Sequence, residues 1–130
     1  MVEKFKKILE KMETAKGGVF LFALMKMDEL TDKWTVVLCA PWAKEGDAEI
    51  FKYVLNLIQS EFSQEELSTI ARIGLFSKTD HLIGELMKYN SDTSISNEKV
   101  NGNQVHYGYI IKSNPSMKEN FVEGAKTGNF

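Results

Sequence analysis

VFLFALMKM, residues 19–27, followed after a polar break by WTVVLCA, residues 34–40, decides the fold. Lys26 is the one polar position in the first stretch. Side chains of a strand alternate between its two faces, so a run apolar at both parities belongs to a strand buried on both sides. The second stretch is rich in β-branched residues (Thr35, Val36, Val37) and reads as another strand. Asp28, Glu29, Leu30, Thr31, Asp32 and Lys33 separate the two, which suits an antiparallel hairpin. Pro41 ends the second strand because it has no ladder donor.

Upstream, Val2, Phe5, Leu9 and Met12 recur at helical spacing with Ile8 beside them, and Glu3/Lys7 and Lys6/Glu10 are opposite charges four apart on the wet face. Gly17-Gly18 stops this helix. Downstream, Asp47 is placed as an N-cap, and Ile50, Val54, Leu57 and Ile58 form an apolar stripe with Phe51 at its edge. Ser63 and Glu66 have the S-x-x-E form of a capping box, and IARIGLF, residues 70–76, reads as a third strand. Strand, helix, strand in one sheet implies a right-handed parallel crossover.

Ser77, Lys78, Thr79 and Asp80 offer caps for a further helix whose apolar face is Leu82, Ile83, Leu86 and Met87. Asn101-Gly102 then suits a type I′ hairpin turn. The first arm of that hairpin, residues 93–100, is mostly polar and belongs at a sheet edge, where Asn97 and Lys99 discourage pairing. In the second arm, Val105, Tyr107, Tyr109 and Ile111 are expected on one face and His106, Gly108 and Ile110 on the other. The expected architecture is a single α+β domain over residues 1–112. Its order is α-β-β-α-β-α-β-β, a mixed sheet with helices packed on it, and the last hairpin either extends the sheet or pairs with another copy. Residues 113–130 read as a C-terminal tail, mobile or docked by Phe121, Val122 and Phe130.

Composition narrows the function. A net charge of −2 with Arg72 as the one arginine is the wrong balance for tracking phosphates, so no nucleic-acid partner is expected. The apolar run ending at Met27 is far shorter than the roughly 20 residues of a membrane-spanning helix, so no membrane partner is expected either. The lysines near the N-terminus are mixed with acids and read as a mature cytoplasmic start. The single cysteine, Cys39, sits in an apolar run as a buried thiol of a reducing compartment does.

Chemistry is scarce. Residues 37–44 resemble the end of a thioredoxin strand, but dithiol exchange needs a second cysteine and there is none. Asp32-Lys33-Trp34 and Ala40-Pro41-Trp42 together resemble a segment of a family of small uncharacterised prokaryotic proteins, and that resemblance implies no function. No short-spaced metal ligands, phosphate loop or nucleophile elbow is present, so neither metal nor cofactor is expected and the reading leans against an enzyme.

One constellation follows from topology. Ligands of parallel crossovers favour the crevice beyond the carboxyl ends of the strands. That places Trp42 and Lys44 from one strand beside Ser77, Lys78, Asp80 and His81 from the next, a candidate pocket for a small anionic ligand. The leading expectation is instead a small non-enzymatic protein-interaction module, homodimeric or bound to another protein, with Tyr107 and Tyr109 as its contact residues. The alternative is a protein that binds or hydrolyses a small molecule at the crevice near Trp42 and His81.

Overall fold

In the computed structural model, which describes residues 1–27 and 32–116, the expected elements form in the expected order. Helix α1 (Val2–Lys16) ends at Gly17, whose φ of 112° lies in the range that favours glycine. Strands β1 (Leu21–Met27) and β2 (Trp34–Cys39) pair antiparallel. Residues 28–31 of the turn expected between them lie outside the described residues. Helix α2 (Ala48–Glu61) starts where the Asp47 carboxylate accepts the N–H groups of Glu49 and Ile50. The short α3 (Gln64–Leu67) carries both halves of the Ser63/Glu66 capping box. Strand β3 (Ile70–Leu75), helix α4 (His81–Leu86, capped by Asp80), β4 (Thr93–Val100) and β5 (Asn103–Ser113) complete the order. The β4–β5 turn has Asn101 at φ 51° and Gly102 at φ 80°, the positive pair that a type I′ turn requires.

The five strands form one mixed sheet in the order β3-β2-β1-β5-β4. Strands β2 and β3 are parallel and the other pairs antiparallel. The last hairpin therefore extends the sheet, with β5 against β1 and the polar β4 at the edge. Most of the tail reading, from residue 117 on, lies outside the described residues; Asn114 still donates its N–H to the Phe20 carbonyl at 2.8 Å.

Because β1 is buried on both faces, two cores are needed. On the first face Phe5, Ile8 and Met12 of α1 and Val54 and Ile58 of α2 cover Phe22, Leu24, Val36 and Leu38. On the second, Leu82, Ile83 and Leu86 of α4 cover Leu21, Ala23, Met25, Val37 and Ile110. Cys39, 1 % exposed, is part of this second core. Each large side chain so buried contributes roughly 1.5–3 kcal/mol.

The expected alternation along β5 is corrected by the pairing. Lys26 stands opposite Tyr107 but Met27 opposite Val105, so His106 is an extra residue, and Ile111 is another between the partners of Phe22 and Ala23. Each bulge reverses the parity of the residues beyond it. Val105 accordingly joins the second core with Ile110, while Tyr109 and Ile111 pack on the first. Gly108 lies beneath Met25: a Cβ there would come within 2.7 Å of the Met25 Sδ. Gly108→Val should lower stability by about 1–3 kcal/mol through this crowding. Urea unfolding reads the change, and an unaltered midpoint would contradict the packing described.

Helix α1 is tied to α3 by Lys4 Nζ, 2.6 Å from Glu66 Oε1. The hydrogen bond from Lys4, joined by those of Ser63, holds the Glu66 carboxyl down at about 2. A carboxyl depressed on folding contributes stability above its unfolded value, near 4.5, that is lost as pH falls toward 2. The urea midpoint should thus drop further between pH 6 and pH 2 in the wild-type chain than in Lys4→Met. Equal drops would remove the ion pair from the account.

Candidate functional site

The strand ends that sequence reasoning gathers into one crevice are split between the two faces of the sheet. Trp42 turns toward the first core, where its indole N–H donates to the carbonyls of Gly17 and Gly18, each at 3.0 Å, and its ring meets Tyr53 edge-on. It closes the end of α1. Lys44 is exposed in the loop before α2. On the other face Lys78, Asp80 and His81 line a shallow depression of 370 Å³ with Glu85 and Lys88; Ser77, Trp42 and Lys44 do not line it.

Several charged groups of that depression already have contacts within the chain. The Lys78 ammonium lies 4.4 Å from the centre of the Phe20 ring, and Asp80 accepts the Leu82 N–H at 2.8 Å as a helix cap. Ser77 Oγ accepts the Thr79 N–H, and Lys88 pairs with Glu85 at 2.7 Å. Two ammonium groups are offset by two carboxylates, so the depression offers an anion little surplus positive charge.

The two tyrosines have different surroundings. The Tyr109 hydroxyl donates to Asp92 Oδ1 at 3.1 Å, and Lys6 Nζ of α1 reaches the same oxygen at 2.9 Å. The Lys6 and then the Tyr109 hydrogen bonds hold the Asp92 carboxyl below its usual range, and burial followed by Asp92 pushes the Tyr109 hydroxyl up. Through Asp92, Tyr109 of the last hairpin is thus linked to Lys6 of α1. Tyr107 is 39 % exposed; it leans edge-on against Trp34 at 5.9 Å, and the Lys26 ammonium sits 4.6 Å from the Trp34 ring centre.

A further surface escapes sequence reasoning. At the edge of the sheet, β3 pairs only with β2 among the described residues. An apolar groove of 250 Å³ runs beside it, lined by Phe51, Leu55, Leu67, Ile70 and Ile73, and a second of 310 Å³ shares Phe51 and Ile73 and reaches Leu75. Phe51, also 39 % exposed, stands between them. The signal in the sequence is Phe51 at the margin of the α2 stripe, together with a third strand whose one charge is Arg72.

The two sheet edges differ in protection. Along β4, Ser94, Ser96, Asn97, Glu98 and Lys99 are exposed, and Asn97 is kinked at φ 50°. Charges and kinks of this kind block strand addition. Strand β3 has Ile70, Ala71, Ile73, Gly74 and Leu75 around Arg72, which turns its Nε to the buried Thr35 hydroxyl at 3.1 Å, and its pairing with β2 is interrupted by one bulge, at Ala71.

Among the described residues no helix is long and apolar enough to cross a membrane. Comparison with protein-family models, with curated proteins and with solved structures finds no match to this chain.

If Tyr109 is a structural strut, Tyr109→Phe should cost about 0.5–1.5 kcal/mol of stability, the net value of one hydrogen bond. It should leave the oligomeric state unaltered, whether read by thermal unfolding or by sedimentation. Weakened self-association at full stability would return Tyr109 to the contact surface.

Proposed function

We propose that this chain is a non-enzymatic module that acts by protein contact, pairing with a second copy of itself along the open side of β3. The observation that carries the reading is the inequality of the two edges: β4 is guarded by several charges and a kink, while β3 has one charge, Arg72, and one bulge, at Ala71, and is rimmed by exposed Phe51. Exposed strand edges attract other strands unless blocked, and an aromatic beside a groove is the usual anchor of a protein contact. The presence of Asp80 and Glu85 beside Lys78 and Lys88, the last paired with Glu85, favours this reading over an anionic ligand at the crevice. Tyr107 is less suited than Phe51, because its neighbour Trp34 is already covered by Lys26. The burial of the single cysteine supports a reducing, cytoplasmic setting.

Sedimentation equilibrium tests the proposal. The wild-type chain should associate at micromolar concentration, and Phe51→Lys should weaken association at least about tenfold, or ~1.4 kcal/mol. A wild-type chain that is monomeric throughout would overturn self-association. A dimer indifferent to Phe51→Lys would move the contact away from this edge.

A further inference from the structure

Resting on that contact reading, we infer that two copies join β3 to β3 in antiparallel fashion about a two-fold axis at Ile73, making one sheet continuous across both. The direction of the backbone groups limits the choices. Phe76 donates its N–H to the Leu38 carbonyl of β2 at 2.9 Å, and Val37 stands opposite Gly74 and Leu38 opposite Leu75 in the parallel register. Alternate residues of such a strand bond to the same neighbour. Arg72 and Gly74 therefore face β2 as Phe76 does, and the N–H and C=O groups of Ile73 and Leu75 point out of the sheet.

Three antiparallel registers bring outward groups together, centred on Arg72, on Ile73 and on Gly74. The last sets Gly74 directly against Gly74 of the second copy, where the two Phe76 rings that lie over these glycines would crowd each other. Centred on Ile73, Ile73 exchanges both its bonds with Ile73 of the second copy, and Leu75 falls opposite Ala71, the extra residue where the β2–β3 register shifts. Centred on Arg72, Leu75 falls opposite Thr69, whose carbonyl already accepts the Trp34 N–H at 2.7 Å.

Charge makes the same choice. In the Arg72-centred register the two guanidinium groups stand directly opposite each other, and like charges so placed destabilise a pair. In the Ile73-centred register each Arg72 stands opposite Gly74 of the second copy, which has no side chain. The Phe76 ring lies over that glycine, near enough that a Cβ on Gly74 would be 2.5 Å from Phe76 Cε2. With its Nε kept on Thr35 of its own chain, the Arg72 guanidinium would present its terminal amino groups to this ring as a cation–π contact. On the α2 side Ile73 meets Ile73 beneath the two Phe51 rims. A second copy is thus complementary to this edge in hydrogen bonding, shape and charge, where a strand of unrelated sequence would match it in hydrogen bonding alone.

Cysteine cross-linking reads the register. Residues of a hydrogen-bonded antiparallel pair have Cα atoms about 5.5 Å apart, within disulfide reach, whereas diagonal neighbours are about 7–8 Å apart, beyond it. Under mild oxidation Ile73→Cys should form a covalent dimer and Arg72→Cys should stay at the wild-type background, which allows for Cys39. Should Ile73→Cys disturb the edge, nitroxides on exposed Ala71→Cys give the same information. Four residues of offset separate their backbones by about 14 Å in the Ile73-centred register, and two residues by about 7 Å in the Arg72-centred one. Cross-linking at Arg72 instead of Ile73, or a spin separation of about 7 Å or about 20 Å, the latter marking the Gly74-centred register, would overturn the register. A sedimenting dimer with no cross-link at either site and no spin coupling would overturn the β3 pairing and leave self-association standing. A monomer in every measurement would end both.

Discussion

A strand that is apolar on both faces must be covered twice, and β1 imposes this on the whole chain. Its even-numbered residues need α1 and α2, and its odd-numbered residues need α4. Its two edges need partners as well, supplied by β2 from the adjacent sequence and β5 from the far end of the domain. With the centre of the sheet satisfied in this way, what remains open is pushed outward. The last strands on either side, β3 and β4, are where the chain meets its surroundings.

The two edges represent different physical solutions. Strand β4 carries hydroxyls, an amide and opposite charges on a kinked backbone, a surface that keeps water. Strand β3 carries aliphatic residues and glycine beside a half-covered helix face. Burying the Phe51 rim against a like rim would remove apolar area from water at roughly 25 cal/mol per Å², and the added ladder would supply partners for the outward amides. The Lys78 depression offers less, because two carboxylates line it with the two ammonium groups and Lys88 is already paired with Glu85.

Much of the fold is legible in the sequence because its signals are local. The Asp47 cap, the Ser63/Glu66 box, the Asn101-Gly102 turn and the edge position of polar β4 each depend on residues a few positions apart. The pairing of β5 with β1 is not legible, since nothing in the spacing of a hairpin states which strand it joins. The bulges at His106 and Ile111 are invisible for a related reason: they arise from the fit of β5 against β1, and the one at His106 moves Val105 off the tyrosine face. The crevice drawn from Trp42 to His81 does not assemble because the chain turns to opposite faces after β2 and β3. Tyr109 reads from the sequence as a contact residue, yet Asp92, itself paired with Lys6, accepts a hydrogen bond from its hydroxyl across a separation the sequence does not display. The open edge needs the strand order first; only then does the scarcity of charge in residues 70–75 carry meaning.

The central claim is that β3 is the edge through which this chain associates. Amide hydrogen exchange of the wild-type chain, read residue by residue across a concentration series, tests it most directly. The amides of Ile73 and Leu75 should exchange slowly at high concentration and progressively faster on dilution, while those exposed along β4 exchange quickly throughout. Rapid exchange of Ile73 and Leu75 at every concentration, or dilution-sensitive protection confined to the strand around Tyr107, would contradict it.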